Sequence, residues 1–357
     1  MPSKILIVGC GAVTQEHHAP ALSNLASRGI AEVVGVCDPV AAHTEKLARL
    51  FPRARTFTTL TDVPGGFAQI ALIASPVRWH AEQSIHCLNA GLSVLCEKPM
   101  AATTAETFAM NEAAERNRRA LAVGHVRRFC TGTRLIKGLV AEARFGRLLS
   151  FSAVEGGNFA WDARTASFFE RKNAGGGVLM DLGIHTLDLL EWWFGEPASF
   201  NYEDDAMGGL EANCRLALDY GSFQGDVQLT RDHAIPNAYF FKFEHAWVRW
   251  KPSGADQIEI GFDGLDLGVE GRLFSAHLEN GVPAGQHPAE LFHQCFLLQW
   301  LNIIAAHEGR EAPRITGAQA ARSLALVEKC YRSRSFMEPP WFTELEKLRA
   351  RELHRKA

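Results

Sequence analysis

Lys4-Ile5-Leu6-Ile7-Val8-Gly9-Cys10-Gly11-Ala12-Val13-Thr14 decides the fold. Four apolar residues in unbroken succession, ending at glycine, describe a short strand buried on both faces. Gly9 permits the tight turn that follows. Gly11 lets the backbone approach a diphosphate at the positive end of the helix opened by Ala12, Val13 and Thr14. Thr14 stands where the usual fingerprint carries its third glycine, so the turn alone is a weak signal. Its position after the first strand is where a dinucleotide site requires it.

Working outward, the apolar run recurs at Glu32 to Cys37, Ile70 to Ala74, Ser93 to Cys96 and Ala120 to Val123. Helical periods fall between these runs, near 16–28, 40–50, 78–90 and 104–118. Strand, helix, strand in regular order predicts a doubly wound parallel sheet with right-handed crossovers, complete by about residue 124. After Gly124 the rhythm changes. A helix near 131–143, a strand at Leu148 to Val154 and a strongly apolar helix from Val178 to Phe194 come first. Then Cys214, Leu216, Leu218 and Tyr220 alternate with Arg215 and Asp219, a half-buried strand turned at Gly221-Ser222 and returning through Val227 and Leu229. Tyr239 to Trp250, Gln257 to Phe262 and Leu265 to Val269 read as further strands, and helices near 289–308 and 317–334 close the fold. The charged tail from Thr343 reads as a solvated helix. The expectation is an α/β chain: a Rossmann domain at 1–124, and an α+β domain at 125–357 built on a large, mainly antiparallel open sheet.

Composition removes several function classes. The chain has 357 residues, of which 47% are hydrophobic and 22% charged, too apolar to be disordered. Lys and Arg number 37 against 40 acids, so there is no basic excess to bind nucleic acid or an acidic membrane surface. No stretch is apolar enough to span a bilayer, and the N-terminus lacks a signal-peptide layout. The eight cysteines are spread singly, with no C-x-x-C pair to hold zinc or a redox disulfide. No other ligand spacing predicts a metal. The expectation is a cytoplasmic protein with reduced thiols.

Three further groups carry chemistry. Asp38 ends the second strand, 24 residues after Thr14. There an acid accepts hydrogen bonds from an adenosine ribose and repels a 2′-phosphate, favouring NAD over NADP; the competing reading is a simple Asp-Pro turn. Ser75-Pro76, with His80 a turn later, and Glu97-Lys98-Pro99 follow strands at their carboxyl ends, where open α/β sheets bind ligands. Lys98 also reads as an ordinary surface lysine. Finally, Gly175 to Asp188 (GGGVLMDLGIHTLD) places Asp181 and His185 four residues apart on one face of a largely apolar helix. A carboxylate and an imidazole there need partners or a cavity, and a structural Asp–His hydrogen bond would satisfy both.

Together these groups resemble the glucose-fructose oxidoreductase / inositol dehydrogenase (Gfo/Idh/MocA) family. The carriers are GCGAVTQEHHAPAL, the stretch SPVRWHAEQSIHCLNAGLSVLCEKP and the run GGGVLMDLGIHTLDLL. The resemblance implies an NAD(P)-dependent dehydrogenase acting on a secondary alcohol of a polyhydroxylated substrate, a sugar, inositol or derivative. It places Lys98, Asp181 and His185 at catalytic positions. Gly9, Gly11, Ala12, Val13, Asp38, Ser75, Pro76, His80, Glu97 and Lys98 are placed with the cofactor. Arg127 or Arg128, Trp161, Arg164 and Lys172 fall where relatives contact substrate. Lys98 would hold the reacting oxygen, His185 would exchange the proton, and Asp181 would orient the substrate or tune His185. The family also implies a homodimer or homotetramer through the C-terminal sheet, whose open face is expected to carry Cys214, Leu216 and Leu218 or their neighbours. Two rivals share the fold: a non-catalytic NAD-binding regulator, and a glycoside hydrolase or lyase that oxidises its substrate only transiently.

Overall fold

The continuous apolar runs do form strands with both faces covered. Ile5, Ile7, Ile70, Leu72, Val94 and Leu95 are fully buried, each burial contributing about 1.5–3 kcal/mol. The computed structural model describes residues 1–161, 169–273, 288–339 and 342–355. Contacts gather these residues into two compact units. The first holds residues 1–126, the described part of 162–175, and His293–Ala325. The second holds Arg127–Trp161 and the described remainder.

In the first unit, β1 (Ser3–Val8), β2 (Ala31–Cys37), β3 (Arg55–Phe57), β4 (Ile70–Ile73), β5 (Ser93–Cys96) and β6 (Leu121–Val123) pair in the order β3-β2-β1-β4-β5-β6. Every pairing is parallel. The strand order reverses between β1 and β4, the switch point at which such sheets bind dinucleotides. The crossovers are α1 (Ala19–Ser27), α2 (Ala41–Leu50), α3 (His80–Asn89) and α4 (Thr104–Asn117), α4 starting at a Thr103/Glu106 capping box. β3 was not expected; three residues with two exposed side chains leave no apolar run to read.

In the second unit, α5 (Thr131–Glu142) precedes β7 (Leu148–Gly156). The short α6 (Arg171–Ala174), itself in the first unit, leads to a π-helical turn at Leu179–Gly183 and then α7 (Ile184–Phe194). The strands β8 (Ser199–Asp204), β9 (Asn213–Asp219), β10 (Gln224–Thr230), β11 (Ala238–Phe243), β12 (Ala246–Trp250), β13 (Gln257–Phe262) and β14 (Gly268–Arg272) follow. α8 (Pro288–His307) and α9 (Gly317–Arg332) lie largely in the first unit, which holds His293–Ala325, and after them β15 (Ser335–Phe336) and α10 (Glu344–His354) return to the second. The sheet order is β14-β13-β12-β11-β7-β10-β9-β8-β15, antiparallel except for β7 with β10 and β8 with β15.

The covered face of this sheet is aromatic. Trp193 of α7 meets Phe241 edge-on with centroids 5.4 Å apart, and Tyr239 meets Trp250 at 5.2 Å. Three expectations need correction. Cys214, Leu216 and Leu218 point to this covered side; the open face carries Arg215 and Ala217, with Phe240 and Trp247 stacked at 5.7 Å. The last strand begins at Gly268, because the chain turns at Leu265 and leaves Leu265 and Leu267 exposed. The final helix is not wholly solvated: His354 is buried with its Nε2 3.0 Å from the Asp204 carboxylate, which Arg334 also holds.

Candidate active site

The glycine turn is built for close approach. Gly9 takes φ +90°, and a Cβ there would lie 2.3 Å from the Ser75 nitrogen, so β1 and β4 meet only because it has none. A Cβ on Gly11 would meet nothing within 4 Å, so the turn is open on the side where a pyrophosphate would lie. Thr14, in place of the third glycine, donates its hydroxyl to the Gly9 carbonyl at 2.7 Å and ties the turn. A π-helical turn at Thr14–His18 follows. Asp38 anchors the turn from β2: its carboxylate accepts from Cys10 N and Val40 N, each at 2.8 Å. Oδ1 also faces His43 Nδ1 at 3.4 Å, while Oδ2 has a second lone pair for a ribose hydroxyl. These features fit a dinucleotide.

Beyond β4, the Ser75 hydroxyl donates to Gln83. His80 is buried with Nδ1 2.8 Å from the Pro99 carbonyl and Nε2 2.7 Å from that of Ser75. Burial lowers its pKa against those two carbonyls. The ring sits between the loop after β4 and the loop after β5, and while neutral it donates to one of the two carbonyls. Glu97 is buried and Lys98 half-buried. Burial alone would raise the Glu97 pKa, but hydrogen bonds from His18 and from Lys98 N, with the charge on Lys98, hold it below the ordinary range.

In the second unit, the glycine run explains itself by what it touches. A Cβ on Gly176 would lie 2.1 Å from the Tyr331 hydroxyl, and one on Gly177 would lie 2.1 Å from the Glu211 carbonyl. Glu211 Oε1 accepts from Gly177 N at 2.9 Å, Leu179 N at 3.1 Å and Tyr331 Oη at 2.7 Å. It thereby caps the helix that carries the expected chemistry. Asp181 and His185 are both half-buried on that helix. The Asp181 carboxylate accepts from the Arg231 guanidinium, which stands over the Phe159 ring at 5.6 Å.

Neighbouring charges are committed elsewhere. Asp188 is fully buried in a two-point pair with Arg128, at 2.8 and 2.7 Å. Arg127 grips Glu155 at 2.7 and 2.5 Å, and Tyr239 Oη donates to the same carboxylate at 2.8 Å. Trp161 is exposed, Lys172 is exposed with Nζ 3.7 Å from Glu170, and Arg164 lies outside the described residues. Sequence reasoning missed Arg231, Glu211, His18 and Trp300. The only signal for Arg231 was a basic residue ending the alternation of β10. Among the described residues, no three His, Cys, Asp or Glu side chains gather as metal ligands, and no helix is long and apolar enough to cross a membrane.

Comparison with known proteins identifies the family and the fold. Residues 3–125 match the model of an oxidoreductase family with an NAD-binding Rossmann fold, and residues 133–242 match a GFO/IDH/MocA C-terminal domain. The chain is 32% identical over 197 residues to the rhizopine catabolism protein MocA of Rhizobium meliloti, covering 54% of this chain and 58% of that protein. It is 29% identical over 223 residues to D-glucoside 3-dehydrogenase of Escherichia coli, covering 60% of each. The match thus spans about three fifths of the length of these relatives. A solved structure of levoglucosan dehydrogenase in complex with NADH superimposes with TM-score 0.81 at 18% identity, over 94% of this chain and 98% of that one.

Proposed function

We propose, for a chain that belongs to the Gfo/Idh/MocA oxidoreductase family, that it transfers a hydride between NAD and a secondary alcohol or ketone of a sugar, inositol or sugar derivative. Residues 1–124 are the dinucleotide-binding part and 125–357 the substrate-binding part. The observation that carries the reading is the state of Asp181 and His185. They stay half-buried on a helix whose neighbouring acid, Asp188, is buried and paired. A bound nicotinamide dinucleotide supplies the hydride acceptor. Gly9, Gly11, Ala12, Val13 and Asp38 would hold its adenosine and diphosphate, and Ser75, Pro76, His80 and Glu97 would serve its nicotinamide half.

The chain's own residues do the rest. The Lys98 ammonium holds the reacting oxygen and offsets developing alkoxide charge. His185 takes the hydroxyl proton, a role suited to an imidazole near neutral pH. Asp181, fixed by Arg231, accepts a substrate hydroxyl. Trp161, Arg164 and Lys172 are the remaining substrate contacts in this reading, whereas Arg127 serves as a buried brace to Glu155. The Asp38 carboxylate favours NAD over NADP by repelling a 2′-phosphate. A homodimer or homotetramer through the C-terminal sheet is supported by the stacked Phe240 and Trp247 on the open face. A cytoplasmic location is supported by eight buried free thiols.

The test is a panel of polyols, inositols, free sugars and glycosides with NAD and with NADP, followed at the reduced-nicotinamide absorbance. Net NADH formation with at least one hydroxylated compound is expected. Tight NAD binding with no net reduction anywhere in the panel would reject the dehydrogenase. Cleavage products formed without NADH would point instead to the transiently oxidising hydrolase or lyase.

A further inference from the structure

Behind Glu97 lies a chain of hydrogen bonds whose direction is fixed by chemistry. An indole nitrogen can only donate. Trp300 Nε1 lies 3.1 Å from His18 Nδ1, so that nitrogen must accept. The His18 proton therefore sits on Nε2, which donates to Glu97 Oε1 at 2.9 Å. The other carboxylate oxygen, Oε2, accepts from Lys98 N at 3.0 Å. Glu97 thus accepts on both oxygens, which an amide of the same shape cannot do.

All three side chains are buried. His18 and Trp300 are fully buried, and His18 is edge-on to the rings of both Phe296, at 5.1 Å, and Trp300, at 5.9 Å. Gly124 closes the other side: a Cβ there would lie 2.8 Å from Glu97 Oε1 and 3.1 Å from its Cα. A carboxylate held this way has one position. The neighbouring His17 is stacked on Phe296, with its pKa pushed down to about 4 by burial.

We propose that Trp300, His18 and Glu97 form a one-way relay that fixes a carboxylate beside Lys98, making His18 and Trp300 positioning residues for that lysine. The proposal rests on the role given to Lys98 above and extends it to residues 80 and 200 positions away in sequence, roughly, that share no motif with it. His18 sits on the π-helical turn that follows the glycine loop, and Trp300 on α8, so two elements hold what β5 presents.

The test compares His18→Leu with His18→Gln. Leucine matches the ring in size but leaves the buried carboxylate without its donor. Glutamine can accept from Trp300 through its oxygen and donate to Glu97 through its nitrogen. With the best substrate of the panel, H18L is expected to lower kcat by about 10- to 100-fold while KM for NAD moves less than about threefold, and H18Q to restore most of the loss. E97Q should lower kcat as H18L does. Equal behaviour of H18L and H18Q would overturn the relay.

Two measurements stand apart from turnover, so that a failure of the dehydrogenase reading is told from a failure of this one. Nitrogen-15 NMR of histidine-labelled protein should show His18 protonated on Nε2 alone; a proton on Nδ1 would overturn the proposal. Acetylation of Lys98 by acetic anhydride, read by mass spectrometry, should change rate in H18L and return in H18Q. An unchanged rate in H18L would count equally against it.

Discussion

Glu211 offers the sharpest test of how the helix bearing Asp181 and His185 is held. Its Oε1 takes three donors, Gly177 N, Leu179 N and Tyr331 Oη, all within 3.1 Å in a buried setting. Replacing Glu211 with leucine strands all three. At about 1–3 kcal/mol for each abandoned buried donor, and with the three not additive, the loss should come to roughly 3–5 kcal/mol of local stability. Glutamine keeps one accepting oxygen and removes a charge that burial disfavours. Burial pushes the Glu211 carboxyl above its ordinary range, so the folded chain holds this proton more tightly than the unfolded chain. Its stabilising contribution is complete at pH below the ordinary carboxylate value and is lost as pH rises through the raised one. E211Q should lack that loss, and near neutral pH it should be at least as stable as the parent. Two units need not unfold together, so hydrogen exchange at residues 177–186 is the assay of choice. E211L should exchange there roughly two to four orders of magnitude faster, with lowered kcat, while E211Q stays near the parent. If E211Q opened the segment as widely as E211L, charge and not hydrogen-bond acceptance would hold the helix, and the reasoning would fail.

Other substitutions separate the roles assigned above. D38A removes the acceptor for Cys10 N and Val40 N, so calorimetric NAD affinity should fall at least about tenfold and the preference over NADP should shrink; an unchanged ratio would remove Asp38 from cofactor choice. H185A should lower kcat by about 10²–10⁴ while NAD binding is kept, and wild-type turnover would refute the acid–base role. R231M removes the guanidinium from the Asp181 carboxylate; because that carboxylate is about a third exposed, stability should drop by only about 1 kcal/mol, but kcat/KM should fall about tenfold. D188N leaves Arg128 buried without its anion and should cost about 3–5 kcal/mol in denaturant titration; a silent D188N would mean that the pair is not structural.

The parallel sheet was legible because a strand covered on both faces must be apolar throughout, and few other elements spell Ile-Leu-Ile-Val into Gly. The strands that escaped reading are those with little apolar content to show. β3 has three residues, β15 has two, and β8 ends in Asp204, a buried acid that reads as surface until Arg334 and His354 are seen to hold it. Alternation along β9 correctly separated Cys214, Leu216 and Leu218 from Arg215. It carries no information on which side the helices lie, and that was the part in error. Candidate site residues were legible where spacing along one element brings them together, as for Asp181 and His185. Partners supplied by distant strands were not: Arg231 lies 50 residues from Asp181 and Glu155 lies 28 from Arg127.

That difference in legibility also sorts the charges by what they can do. In sequence, Asp181 and Asp188 read alike, as acids within one largely apolar helical run. In the fold, Asp188 is buried and fixed at two points by Arg128, a geometry that leaves a carboxylate nothing to offer a substrate. Asp181 keeps about a third of its side chain exposed while its direction is set from β10. The same contrast divides His80, whose two nitrogens face carbonyls, from His185, which stays half-buried. A group that must bind and release a proton or a hydroxyl needs both access and a fixed direction. Buried pairs supply direction to their neighbours and forgo access themselves. On that criterion Asp181, open to solvent and directed by Arg231, fits the role proposed for it, and Asp188 and Glu211, both buried and paired, brace the helix that carries it.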